Sequence, residues 1–328
     1  MTLYNREQQL RLNEKLRREL GPAVLTALED HDVTEIMLNA DGALWVESQR
    51  DGMRDTGTSM SAIQAENLIG TVAAMLGTVV NAASPIVEGE LPLDSNRFEG
   101  ILPPVSPAPI FVIRKLPQVV YTLDEYVTAG IMRAGQAQIL RDAVTARRNV
   151  VIAGGTGSGK TTLTNALIHE MVALGDPTAR FVILEDTREL RCAARNAVQL
   201  HTGDVADLTR LTRVTMRLRP DRIIVGEVRG AEALALLKAW NTGHPGGVTT
   251  VHANSSAAAL TRLDLLIQEA GVPPQPHLVA EAVDLIAFIT RTVDGRRVDQ
   301  LTRVTGHDPA TGYRLEAITE HPEEEPHA

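Results

Sequence analysis

Residues 149–162 read NVVIAGGTGSGKTT. Val150, Val151, Ile152 and Ala153 form a short apolar run of the kind that builds a buried strand, and TLTNALIHEMVAL at 162–174 continues as a helix. The loop between them fits G-x-x-x-x-G-K-[ST], with Gly154 first and Gly159, Lys160 and Thr161 last. Gly154, Gly155, Gly157 and Gly159 let the backbone bend tightly and turn its N–H groups toward an anion. Thr156, Ser158 and Thr162 complete the predicted cradle, and the helix offers its positive N-terminal end to the same anion. Lys160 would reach the β- and γ-phosphates, and the Thr161 hydroxyl would hold Mg²⁺. The flanking strand and helix set this loop apart from an ordinary flexible turn and predict a nucleoside triphosphate site.

The bulk numbers bound the rest. At 328 residues and 44% hydrophobic, the chain is long enough for two domains, and with 3% aromatics their cores must be aliphatic. Nothing in a net charge of −9 points to a polybasic nucleic-acid surface, although an acidic balance does not exclude nucleic acid, since a ring can line its pore locally with Arg. One cysteine, Cys192, excludes a disulfide framework or a cysteine zinc site within one chain and fits a reducing cytoplasm. The first twenty residues are charged throughout, unlike a signal peptide. Residues 67–87 carry no charge and could span a bilayer by length. Their Gly, Thr and Asn content, Pro85 and the lack of flanking Lys or Arg favour a buried helix over about 61–80 instead.

In residues 6–30 Leu12, Leu16, Leu20 and Val24 recur every four positions, which predicts an amphipathic helix broken near Gly21-Pro22. Arg11, Lys15, Arg17 and Arg18 make it basic, a candidate face for acidic lipid or a partner. Residues 33–48 read as a hairpin turning at Asn39–Gly42, and ILPPVSPAPIFVIRK as short strands split by prolines. The expected division is an α+β domain over 1–120, a linker over 121–130, an ATPase-type α/β domain over 131–318 and a disordered acidic tail over 319–328. In the second domain, strand candidates at 149–153, 180–185, 197–200, 222–226, 248–252 and 284–290 alternate with helices, and 296–316 reads as a final hairpin. That alternation predicts a largely parallel, doubly wound sheet with its ligand at the carboxyl ends of the strands.

Three further strand ends carry polar residues. FVILEDTREL ends a strand at Glu185 and Asp186, RPDRIIVGEVRG places Glu227 and Arg229 after another, and GGVTTVHANS ends one at His252 and Asn254. Phosphoryl transfer to water needs an oriented nucleophile, a metal and cations on the γ-phosphate. Glu227 is the favoured base, Glu185 would act on the metal through water, and His252 would sense or stabilise the γ-phosphate. The ordinary second nucleotide motif ends in Asp, yet Gly226 stands there, which argues against generic helicase and kinase readings. His244, His201 and His169 read as structural or exposed.

GGTGSGKTT, ILEDTREL, RPDRIIVGEVRG and NTGHPGGVTTVHANS together resemble the phosphate loop, Asp box, acidic second motif and His box of the secretion (traffic) ATPases. NADGALWVE and FVIRK also match, and the length is most similar to the type IV secretion branch with its TrbB-type conjugal transfer ATPases. The resemblance implies a RecA-like P-loop NTPase domain, ATP with Mg²⁺ as cofactors, and a cytoplasmic homo-hexamer peripheral at the inner membrane. It implies hydrolysis that powers conjugative DNA transfer, pilus assembly or substrate translocation alongside inner-membrane secretion components, with no sign of direct nucleic-acid binding. It also implies that Arg114 in FVIRK is directed at the phosphates. Arg97 is a weaker candidate, and Arg213, Arg217, Arg219 and Arg229 are candidates to reach a neighbouring subunit's site. The alternatives are a type II secretion or pilus motor, a nucleotide-gated scaffold with little turnover, and a small-molecule P-loop kinase.

Overall fold

In the computed structural model, residues 3–318 are described apart from 49, 117, 118, 204 and 294, and the side chains of 3–9 are not considered. The expected acidic tail, 319–328, lies outside the described residues. The chain divides into two compact units, Met1–Gln118 and Val119–Ala328.

The first unit opens with α1 (Leu3–Glu29), which bends where Gly21 takes φ 72° and ψ 170° ahead of Pro22. Leu16, Leu20 and Val24 are buried, so the apolar stripe faces the unit's own core. Strands β1 (Val33–Leu38), β2 (Ala43–Ser48) and β3 (Gly52–Ser59) follow, then α2 (Ala62–Met75) and β4 (Ile86–Glu90), β5 (Arg97–Ile101) and β6 (Ile110–Arg114). They form one antiparallel sheet in the order β3-β2-β1-β6-β5-β4. A capping box at Ser61 and Gln64 starts α2. The helix stops short of residue 80 because Gly77, at φ 76°, reverses the chain. Gly77 N–H bonds Ala74 O and Thr78 N–H bonds Ala73 O, the paired contacts of a Schellman end. No helix among the described residues is long and apolar enough to cross a membrane.

The second unit begins with α3 (Leu123–Thr128) and α4 (Ala134–Thr145). The stretch expected as linker is thus largely a helix, capped reciprocally by Thr122 and Glu125. Leu123 and Tyr126 are buried in the core of this unit, and that burial holds the segment in place. The remaining elements are β7 (Val150–Gly154), α5 (Lys160–Leu174), β8 (Phe181–Glu185), β9 (Ala197–His201), α6 (Leu208–Thr215), β10 (Arg222–Val225), α7 (Glu232–Asn241), β11 (Val248–His252), α8 (Ser256–Gln268), α9 (Pro276–Ala282), β12 (Leu285–Thr292), β13 (Gly295–Asp308) and β14 (Gly312–Ala317). The sheet order is β14-β13-β12-β7-β11-β10-β8-β9, parallel from β12 to β9 and antiparallel through β13 and β14. Two apolar cores lie on opposite faces, one holding α3, α4 and α5, the other α7, α8 and α9. This is the doubly wound arrangement that the alternation predicts. The carboxyl ends of β7, β8, β10 and β11 share one edge, where such sheets bind ligands.

Candidate functional site

The phosphate loop leaves the end of β7, whose residues are all buried. Gly154 cannot carry a side chain, since a Cβ would lie 2.3 Å from the Ile289 carbonyl oxygen. Gly157 and Gly159 take φ 67° and 99°, the left-handed region that glycine occupies without strain. Lys160 begins α5 and is buried, with Nζ donating to Gly154 O at 3.1 Å and Gly155 O at 2.9 Å. Burial lowers its pKa, against the pull of Glu227. The Ser158 hydroxyl is buried without a partner, a polar group inside the loop left for an incoming acceptor or donor.

Parallel pairing sets His252 directly opposite Gly154. His252 Nε2 lies 2.9 Å from Glu227 Oε1 and 3.5 Å from Lys160 Nζ. Protonated there, the ring donates to the carboxylate; deprotonated there, it accepts from the ammonium. Burial, with the Lys160 charge, holds the imidazole below its ordinary pKa, and Glu227 opposes the shift. Glu227 Oε2 accepts from Arg229 Nη2 at 2.6 Å, and Arg229 Nη1 lies 3.6 Å from Asp186 Oδ2.

Glu185, buried at the end of β8, accepts the backbone N–H groups of Glu189 (2.9 Å) and Leu190 (2.8 Å) on Oε1. Its Oε2 is buried and unpartnered. Burial pushes its pKa up to about 7, even against those two hydrogen bonds. A Cβ at Gly226 would lie 3.2 Å from Glu185 Cγ. The Glu185 side chain therefore fills the space beside the position where the ordinary second motif carries its metal-holding Asp.

Two acidic residues escape a strand-end reading. The Thr161 hydroxyl donates to Glu189 Oε2 at 3.2 Å. One turn on, the buried Asn165 donates through Nδ2 to Glu189 O (3.1 Å) and accepts from Arg191 N–H (2.7 Å), which clamps this loop to α5. Glu232 Oε1 accepts from the backbones of Arg229 (2.6 Å) and Gly230 (2.8 Å), which fixes the turn after Glu227. A signal for Asn165 exists in the sequence: it stands four residues after Thr161, on the same helical face.

Thr161 Oγ1 and the Glu189 carboxylate it bonds, with the unpartnered Glu185 Oε2 at the neighbouring strand end, are hard oxygen donors of the kind that Mg²⁺ takes. Among the described residues no three acidic, imidazole or thiolate groups gather into a metal cluster, so such an ion would draw the rest of its shell from phosphate oxygens and water.

Arg229 is the one candidate neighbour-reaching arginine placed among these groups. Arg213, Arg217 and Arg219 are exposed on α6 and the turn leading into the start of β10, at the opposite edge of the sheet. In the first unit, Arg97 and Arg114 are cross-strand partners on one rung, and Arg114 Nε donates to Glu35 Oε1 at 2.6 Å on the next strand. His169 is exposed, while His201 ends β9 and His244 lies in the turn before β11.

A parallel doubly wound sheet, a complete phosphate loop and acidic residues at neighbouring strand ends define a RecA-like P-loop NTPase. The chain belongs to the family described as Type II/IV secretion system protein, which matches residues 21–312. It is 52% identical over 294 residues to the probable conjugal transfer protein TrbB of Sinorhizobium fredii (strain NBRC 101917 / NGR234), covering 90% of each chain. The conjugal transfer protein TrbB of Rhizobium radiobacter is 51% identical over 90% of this chain and 91% of its own. The type IV secretion system protein PtlH of Bordetella pertussis is 31% identical over 80% of this chain and 87% of its own. Among solved structures, the Legionella pneumophila ATPase DotB shares the fold at a TM-score of 0.61 and 22% identity, covering 83% of this chain and 77% of its own. The pilus retraction motor PilT with bound ADP does so at 0.60 and 18%, covering 92% and 83%.

Proposed function

We propose that this chain hydrolyses ATP with Mg²⁺ as a hexameric motor of a conjugative type IV secretion system. The observation that carries the reading is that His252 bridges the phosphate loop's lysine and Glu227, with its Nε2 3.5 Å from Lys160 Nζ and 2.9 Å from Glu227 Oε1. In the proposed cycle, phosphate oxygens replace the carbonyls of Gly154 and Gly155 as acceptors for Lys160. Thr161 Oγ1 and, through water, Glu185 would hold the magnesium ion, which when bound neutralises phosphate charge. The arriving γ-phosphate draws His252 and Arg229 toward it and frees Glu227. Glu227 then orients a water and takes its proton as the water oxygen bonds to the γ-phosphorus and the bond to the ADP oxygen breaks. Arg114 is proposed to reach the phosphates from the first unit, and Arg97, Arg213, Arg217 or Arg219 a neighbouring subunit.

As such a motor the protein would work in the cytoplasm, against inner-membrane secretion components. Arg11, Lys15 and Arg18 are exposed at helical spacing on α1 and supply a cationic face for anionic lipid. The test of the chemistry is Glu227→Gln. Nucleotide binding should survive while turnover falls about 100-fold or more. Wild-type turnover in that variant would remove Glu227 from the mechanism, and continued substrate transfer without turnover would favour the nucleotide-gated scaffold.

A further inference from the structure

Arg296, at the start of β13, reaches across to the phosphate loop, where its Nε donates to the Gly157 carbonyl at 3.3 Å over 139 residues of sequence. The approach is close. A Cβ on Gly159 would lie 3.0 Å from Arg296 Cδ and 3.5 Å from both its Nε and Ile289 Cδ1. The strand that carries it is held in place two residues on, where Val298 N–H bonds Ile131 O at 2.8 Å and Val298 O accepts from the buried Gln136 at 3.2 Å. The two terminal guanidinium nitrogens make no hydrogen bond or ion pair among the described residues, and the side chain is exposed.

Sheet order says what those nitrogens face. Glu185, Glu227 and His252 come from β8, β10 and β11, all on one side of β7, so a nucleotide's terminal phosphate belongs on that side. Its nucleoside must leave the loop on the other side, over β12 and β13, where Arg296 stands. We propose that Arg296 lays its planar guanidinium against the base of the bound nucleotide. This rests on the reading of the loop as a nucleotide site. A guanidinium plane stacks on any base, because stacking needs only a π-face. Arg296 thus holds the nucleoside end without choosing between adenine and guanine.

The experiment is calorimetric titration of the full chain, as wild type, Arg296→Ala and Arg296→Lys, with MgADP and with magnesium tripolyphosphate, which has phosphates and no nucleoside. Arg296→Ala should weaken MgADP roughly tenfold and tripolyphosphate by less than about twofold. Arg296→Lys keeps the charge but loses the plane, and should stay weak for MgADP. Unchanged MgADP affinity in the alanine variant overturns the proposal. So does an equal loss of both ligands, which makes Arg296 only a brace for the loop, or full recovery by lysine, which makes it only a charge. A wild-type chain that binds neither ligand overturns the nucleotide reading itself.

Discussion

Glu185 is the residue whose surroundings depart furthest from water among the acidic groups of the site. Its pKa rises from 4.5 to about 7 on burial. The folded chain therefore holds its proton where the unfolded chain has lost it, and stability falls as pH climbs from 4.5 to about 7, then levels. Glu185→Gln keeps an acceptor for the two backbone N–H groups and removes the titration. Its unfolding midpoint should gain on the wild type between pH 5 and pH 8, by an amount on the order of 3 kcal/mol at most. A midpoint difference that does not change with pH would mean the carboxylate is already ionised in the fold. Gly226 tests the same spot from the next strand. Gly226→Asp would set a second carboxylate against Glu185 Cγ, already 3.2 Å from a Cβ there, and should lower stability by roughly 1–3 kcal/mol in thermal or urea unfolding. Both residues were legible in the sequence, as an acidic strand end and as a missing Asp. Their mutual packing was not, because it depends on the register of β8 with β10.

At the scale of elements, the alternation of apolar runs and helices places each strand of the parallel sheet to within a residue or two, since buried parallel strands leave continuous aliphatic runs. The segment before it misled. Residues 121–130 look polar and loop-like, yet Thr122-Leu123-Asp124-Glu125 is a capping box ahead of buried apolar positions, and that was the readable sign of α3. Glu189 was missed for another reason: its loop returns onto a helix 24 residues away and leaves no local pattern, and Asn165 is marked only by its spacing of four from Thr161. Asn165→Leu would leave Arg191 N–H and Glu189 C=O without this partner. It should cost about 1–3 kcal/mol in urea unfolding and also weaken Mn²⁺ binding read by electron paramagnetic resonance, since Glu189 would drift from Thr161. At the junction of β10, β11 and α7, a Cβ on Gly247 would lie 2.2 Å from both Ile223 O and Trp240 Nε1 and displace their hydrogen bond. Gly247→Ala should destabilise the sheet by roughly 3 kcal/mol or more.

For the whole molecule, the proposed ring makes one strong demand. If neighbouring subunits complete each site, turnover per subunit should climb with protein concentration in step with a hexamer seen by light scattering. Flat turnover in a monomer would point to a self-contained enzyme instead. The lipid-facing idea also needs a whole-chain test, because removing residues 1–28 would strip Leu16, Leu20 and Val24 from the first unit's core. Charge reversal at Arg11, Lys15 and Arg18 leaves that core intact. It should abolish cosedimentation with vesicles of acidic phospholipid if the face binds them, and leave it unchanged if another surface does.

The resting place of Lys160 has a consequence for the tempo of the proposed cycle. Its ammonium is already satisfied by the carbonyls of Gly154 and Gly155, so on the proposed reading a nucleotide would arrive by displacing an internal ligand and not by filling a bare cationic hole. Each departing product would hand the lysine back to the loop. Binding and release would then be two directions of one exchange, with a ready-made acceptor waiting on either side, so a spent nucleotide would leave without stranding a buried charge.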